Sequence, residues 1–177
     1  ENTLSSNYIS DLKCDKHNRL WISTGKNLNV LDINSGQIKR YHDAVFKGNI
    51  PRITDFYYEE DKDVMWISTS VGIFFNKGKK LALQKVEFEG VTGLIHDIEH
   101  LKNGQWVFAS DEALFLYDQK NKKSTPFFHE YHVPGHRDGF VSLFVENDSM
   151  VWAGSWVYGM ISLNINTGQV ATYAYSN

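Results

Sequence analysis

What this chain lacks narrows its chemistry before any motif is considered. Cys14 is its one cysteine, so it has no internal disulfide. That thiol falls on an apolar position of an expected strand and reads as buried and inert rather than as a nucleophile. No window approaches the roughly 18 consecutive apolar residues of a membrane-spanning helix. Lysine and arginine number 18 against 21 aspartates and glutamates, a net charge of −3. No stripe of basic residues accompanies that balance, so neither nucleic acid nor direct membrane insertion is expected. No segment of about ten residues or more combines helical periodicity with caps. There is neither an initiating methionine nor a leader pattern, and the expectation is a mature or excised segment. What remains is a chain of 177 residues, 14% aromatic. That is long enough for a domain with a sizeable core, and large rings favour strands over helices.

Against that background one hexapeptide recurs. Arg19-Leu20-Trp21-Ile22-Ser23-Thr24 returns as Val64-Met65-Trp66-Ile67-Ser68-Thr69, and again as Met150-Val151-Trp152-Ala153-Gly154-Ser155. A degenerate copy, Gln105-Trp106-Val107-Phe108-Ala109-Ser110, aligns with its indole one place early, so that Val107 lies under Trp21. The column 21, 66, 107, 152 has steps of 45, 41 and 45 residues, a period that marks an array of similar units. The match extends upstream, where Ser10-Asp11-Leu12 parallels Thr54-Asp55-Phe56, His96-Asp97-Ile98 and Ser142-Leu143. Downstream, Leu31-Asp32 parallels Tyr117-Asp118 and Leu163-Asn164, and Ile33-Asn34-Ser35-Gly36-Gln37 is nearly restated as Ile165-Asn166-Thr167-Gly168-Gln169.

Each repeat reads as four short strands separated by polar turns. Four strands at this period is the pattern of a β-propeller blade. The expected fold is all-β, four four-stranded antiparallel blades forming one propeller segment over 1–177, itself part of a larger propeller. The blades are expected at about 4–42, 50–88, 93–128 and 138–175. In such a meander the turns alternate ends. The first-to-second and third-to-fourth turns share one face, and here they are short, polar and alike. The second-to-third turns share the other face with the blade-to-blade crossings, Tyr41 to Arg52, Phe88 to Leu94 and Phe127 to Gly139. These are long and unlike one another, and varied loops on a rigid scaffold are where binding residues concentrate.

On these residues the chain resembles the two-component regulator propeller family. Blades of that family carry a pattern of the type Leu-x-Ser-Asn-x-Ile, then Asp, then Leu-Trp-Ile-Gly-Thr, then a Leu-Asp pair. Leu4-Ser5-Ser6-Asn7-Tyr8-Ile9, Leu20-Trp21-Ile22-Ser23-Thr24 and Leu31-Asp32 follow it closely. The third repeat lacks the tryptophan in register, and the second has Asn76-Lys77 in place of the Leu-Asp pair. The resemblance implies the periplasmic, extracytoplasmic sensor region of a hybrid two-component histidine kinase anchored in the inner membrane. It further implies a carbohydrate signal, such as an oligosaccharide, and further propeller blades or a second copy of the chain as partners. Kinase and receiver modules do not occur in these residues, so neither catalysis nor a cofactor is implied for the segment.

The candidate site residues lie on the varied face. Trp156 occupies the slot that is Gly25, Ser70 and Asp111 in the other repeats. An indole there serves as a ligand plate or as cover for the neighbouring loop. Tyr158 accompanies it, and Arg52, His96, Arg137 and Asp138 are the expected polar partners; Arg52, His96 and Asp138 fall near the starts of the first strands. His129, His132 and His136 have metal-like spacing, but Pro134-Gly135 forbids the helix that spacing would need, and no metal is expected. The tryptophan column reads as packing between blades, and Thr24, Thr69, Ser110 and Ser155 as strand-end hydrogen bonders rather than nucleophiles. Three function classes follow: a non-enzymatic ligand sensor, a protein-interaction scaffold, and a propeller lyase or hydrolase, which would need a clustered acid and base.

Overall fold

Aromatic and β-branched residues favour a strand in the recurring hexapeptide, and each copy forms the second strand of its sheet. The structure, a computed structural model, describes residues 2–25, 27–41, 51–129 and 132–175. Sixteen strands are found among the described residues, and no helix. The first sheet is β1 (Asp11–Cys14), β2 (Arg19–Ser23), β3 (Leu28–Asp32) and β4 (Ile38–Tyr41). The second is β5 (Ile53–Glu59), β6 (Val64–Thr69), β7 (Gly72–Lys77) and β8 (Gln84–Val86). The third is β9 (Ile95–His100), β10 (Gln105–Ser110), β11 (Leu114–Asp118) and β12 (Lys123–Phe127), and the fourth β13 (Phe140–Asn147), β14 (Met150–Ser155), β15 (Gly159–Asn164) and β16 (Gln169–Tyr173). All four are antiparallel meanders in chain order, the sheets of propeller blades. Residues 42–50, within the first crossing, lie outside the described residues.

The chain divides into two compact units, Glu1–Glu87 and Phe88–Asn177. In the first unit sheets one and two pack face to face. Trp21, Leu28, Val30 and Tyr41 meet Ile53, Phe56, Met65, Ile67 and Phe74. In the second, Leu101, Val107, Ala109, Leu114 and Leu116 of sheet three meet Phe140, Val151, Ala153, Ile161 and Leu163 of sheet four. Within each unit the first strands run side by side, β1 along β5 and β9 along β13. The recurring aspartate of the upstream motif works at that seam. Asp11 accepts the Phe56 amide at 3.2 Å, and Asp97 accepts the Leu143 amide at 2.6 Å. At the opposite end of the strands, Tyr58 takes the Lys16 amide through its hydroxyl, and Asp148 takes that of Lys102.

The tryptophan column has a second constant partner. Trp21 Nε1 donates to Asp15 at 2.7 Å, Trp66 to Glu59 at 3.3 Å and Trp152 to Glu146 at 2.7 Å. Trp21 is wholly buried in the core between sheets one and two, as the packing reading expects. In the third repeat Val107 has no N–H to satisfy, and an apolar residue, Leu101, stands where the carboxylate would be. The displaced Trp106 instead packs on the other side of its sheet with Phe88, His100 and Phe108. The strand-end hydroxyls also behave as expected. Thr24 and Thr69 donate to the carbonyls of Asn27 and Gly72, and Ser110 and Ser155 accept turn amides.

Cys14 corrects the sequence reading, because it is exposed. The pairing Leu12↔Ile22, Lys13↔Trp21 and Cys14↔Leu20 puts Leu12 and Cys14 on the side of sheet one turned away from sheet two. Leu12 there is 50% exposed. Sheet four has a similar uncovered side, where Phe144, Met160 and Tyr173 are exposed beside Trp152.

Asp15 ties these layers together. Its carboxylate, fully buried, takes the Arg19 guanidinium at 2.6 Å as well as the Trp21 indole, and Arg19 reaches on to the Lys79 and Gly78 carbonyls between β7 and β8. Asp15→Ala would leave a buried guanidinium uncompensated, and we expect a loss of about 3–5 kcal/mol. Urea unfolding of the variant measures it. At the β3–β4 turn Asp32 binds the Ser35 amide and hydroxyl, and at the β11–β12 turn Asp118 binds the Asn121 and Lys120 amides. Those bonds hold both carboxyls below their ordinary 3.8. A folded-state value below the unfolded one contributes stability that is present above pH 3.8 and lost as pH falls through the lower folded value. Asn164 does the same capping in the fourth repeat without titrating. Asp118→Asn should therefore flatten the fall of melting temperature below pH 3.8, measured calorimetrically against the parent.

Candidate functional site

The strongest candidate is a cluster of turns at one end of sheets three and four. A ladder of main-chain bonds builds it. The Asp111 amide donates to Leu94 O, the Gly139 amide to Asp111 O and the Trp156 amide to Gly139 O, each at 3.1 Å. Ser155, at the end of β14, locks the turn that carries Trp156. Its hydroxyl donates to Asp138 O at 2.6 Å and accepts the amides of Val157 and Tyr158. Gly159 closes the turn at φ 83°, where a Cβ would collide with the Tyr173 carbonyl oxygen.

The Trp156 indole is 66% exposed yet held. Its ring meets the buried His96 ring edge to face, centroids 4.9 Å apart, and its root lies against Gly139. Beside it the Arg137 guanidinium pairs with Asp111, whose other oxygen caps the Leu94 amide at 2.7 Å. Tyr158 is half-buried and rests against His129, centroids 4.6 Å apart. His129 is itself buried and stacks towards Phe140. The exposed plate is thus held by aromatic contacts below and a charged pair beside it, with donors and acceptors on the same face.

Asp138 is the pivot of the loop rather than part of its surface. It is fully buried, and its carboxylate takes the His129 amide at 2.7 Å and His132 Nδ1 at 2.6 Å. His132 in turn stacks on Phe128 at 4.3 Å. His136 is exposed, and Glu130 and Tyr131 of the same loop lie outside the described residues. Among the described residues no group of three or more His, Cys, Asp or Glu side chains is arranged to hold a metal ion.

The six expected site residues therefore divide. Trp156, Tyr158, His96, Arg137 and Asp138 come together in the second unit, with Asp138 beneath the surface. Arg52 lies in the first unit, exposed, its backbone paired with Ser70 across the equivalent turn. Asp111 and His129 belong to the cluster but were not singled out by sequence as partners of Arg137 and Tyr158. The signal was there for Asp111, which occupies the same repeat slot as Trp156.

This geometry is that of propeller blades, and the comparisons with known proteins agree. Residues 3–26, the start of the first repeat, match the family model described as two component regulator propeller. No curated protein matches in sequence. Among solved structures, the extracellular domain of a putative hybrid two component system from B. thetaiotaomicron superposes with a TM-score of 0.78 at 16% identity, over 98% of this chain and 25% of that one. That of a putative one component system from the same organism gives 0.75 at 17%, over 99% and 24%. A catalytically inactive virginiamycin B lyase from Staphylococcus aureus, solved with quinupristin, gives 0.71 at 12%, over 98% and 58%. The chain thus spans about a quarter of the length of the two extracellular domains.

Burial separates the residues that present the site from those that build it. Trp156→Ala should change stability by no more than about 0.5 kcal/mol, as for other surface positions. Asp138→Ala, which strands buried donors, should cost about 1–3 kcal/mol. Chemical denaturation of the two variants side by side checks the contrast.

Proposed function

We propose that this chain is a non-enzymatic ligand-sensing propeller segment of an extracytoplasmic, periplasmic sensor in a hybrid two-component histidine kinase system, and that its ligand is a carbohydrate. The observation that carries this reading is the fixed, solvent-facing Trp156 indole beside Arg137 and Asp111. Sugars present flat C–H faces ringed by hydroxyls, and an aromatic plate flanked by forked donors and carboxylates complements both. The two-component regulator propeller match and the likeness to extracellular domains of such systems support the sensor assignment. The enzyme class finds less support. Within the candidate site the His132–Asp138 pair is the nearest thing to an acid and base, and its carboxylate is buried and spent on holding the loop.

A shallow site of this kind implies a dissociation constant on the order of micromolar to millimolar. An oligosaccharide panel, followed by calorimetry on the best binder, is the test. Trp156→Ala should weaken binding by about 1–3 kcal/mol, as for aromatic anchors at other interfaces, with the fold unchanged. Affinity left unaltered by both Trp156→Ala and Arg137→Ala overturns the site.

A second reading, a protein-interaction scaffold, draws on the uncovered side of sheet four. Phe144, Met160 and Tyr173 are exposed there, the kind of patch that further blades or a second copy of the chain would cover.

A further inference from the structure

Sheets one and two meet, at the end that carries their short turns, around a pocket of about 390 Å³, within the roughly 300–1,000 Å³ of small-molecule sites. We propose that this pocket binds a small hydroxyl-bearing organic anion. Three cationic side chains, Arg19, Lys39 and Lys79, line it with the His17 imidazole, against a single carboxylate, Asp32. Arg19 and His17 are already committed. Arg19 is neutralised by Asp15 and committed to the carbonyls of Gly78 and Lys79, and His17 Nε2 lies 2.8 Å from Asp63. These make a rigid wall. Lys39 and Lys79 are in no ion pair among the described residues, and Lys39 rests over the Tyr41 ring at 5.0 Å. Asp32 cannot neutralise both lysines, and its own oxygen is held by Ser35. The pocket is left with an excess of positive charge between two sheets. An anion entering it gains both ammonium groups, and the Gln37 amide offers a donor and an acceptor for hydroxyls.

The second unit supplies an internal control. The repeat aligns Asn103, Gln105 and Thr125 with His17, Arg19 and Lys39. The architecture at those positions is the same, and the cations are gone. The basic lining is therefore not a requirement of packing two blades together. It is particular to sheets one and two, and it lies among the short turns that the sequence pattern set aside as uniform. The site is independent of Trp156 and stands or falls separately from the reading above.

The experiment is a titration of the whole chain at low salt, followed by amide chemical shifts or calorimetry, with gluconate, glucose 6-phosphate and neutral glucose as probes. We expect saturable binding of at least one anion, none of glucose, and at least a fivefold loss in both Lys39→Gln and Lys79→Gln at unchanged melting temperature. Trp156→Ala should leave this binding intact. Preference for gluconate assigns the pocket to carboxylates, and preference for glucose 6-phosphate to phosphates. Binding of neither anion, equal binding of glucose, or anion binding that survives both lysine substitutions overturns the proposal.

Discussion

Within a sheet, every register is fixed by a continuous ladder of backbone bonds; between sheets three and four the backbone bonds are confined to the turns at one end. The apolar layers of Trp21, Phe56 and Ile67, or of Val107, Phe140 and Ile161, hold sheets together but tolerate sliding, because the hydrophobic effect has no direction. What sets their relative position is a short series of polar bonds reaching about one repeat along the chain: Asp11 to Phe56, Asp97 to Leu143, Lys16 to Tyr58, Lys102 to Asp148. The cost of such a bond shows in Asp11, whose carboxyl is pushed up by burial even as the Leu12 and Phe56 amides pull it down. The fourth repeat has Ser142 where the aspartate would stand.

The candidate site inherits its precision from this arrangement. Leu94, Asp111, Gly139 and Trp156 are linked amide to carbonyl across two sheets, so the turn bearing the indole is tied to both. Asp138 then fixes the crossing loop from below, through His129 and His132. Side chains at the surface are presented by a scaffold whose own polar groups are consumed internally: Trp156 and Arg137 stand exposed, and the Asp138 carboxylate that organises the loop is buried.

Much of this could be read from the sequence, because the repeat carries its own alignment. Trp21 beneath Trp66 and Trp152 located the second strands, and Ser35-Gly36 beneath Thr167-Gly168 located the turns. Once strands and turns were placed, antiparallel topology and the two ends of each sheet followed. The residues misjudged were those whose environment depends on more than one repeat. Cys14 looked buried because alternation assigns it a side of the strand but does not say whether that side is covered. Asp138 looked like a ligand group because burial of a loop carboxylate depends on how the loop folds back, which no periodicity encodes. Arg52 and His96 occupy related places in their repeats, yet they fall in different units. The basic pocket went unnoticed for the opposite reason: Lys39 and Lys79 lie some 40 residues apart and become neighbours only when two sheets close on one another.

The slot at Ser70, Asp111 and Trp156 has a property that bears on how such a surface can diversify. In all three repeats the slot residue is anchored through its backbone N–H, to the carbonyls of Arg52, Leu94 and Gly139 respectively. Any amino acid except proline supplies that donor. That anchor does not depend on the side chain, which makes a different contact in each repeat: the Ser70 hydroxyl and the Asp111 carboxylate accept the Arg52 and Leu94 amides, and the Trp156 indole packs on His96. New recognition chemistry at this position is reachable by single substitutions, with Gly159 three places on as the residue that must not vary.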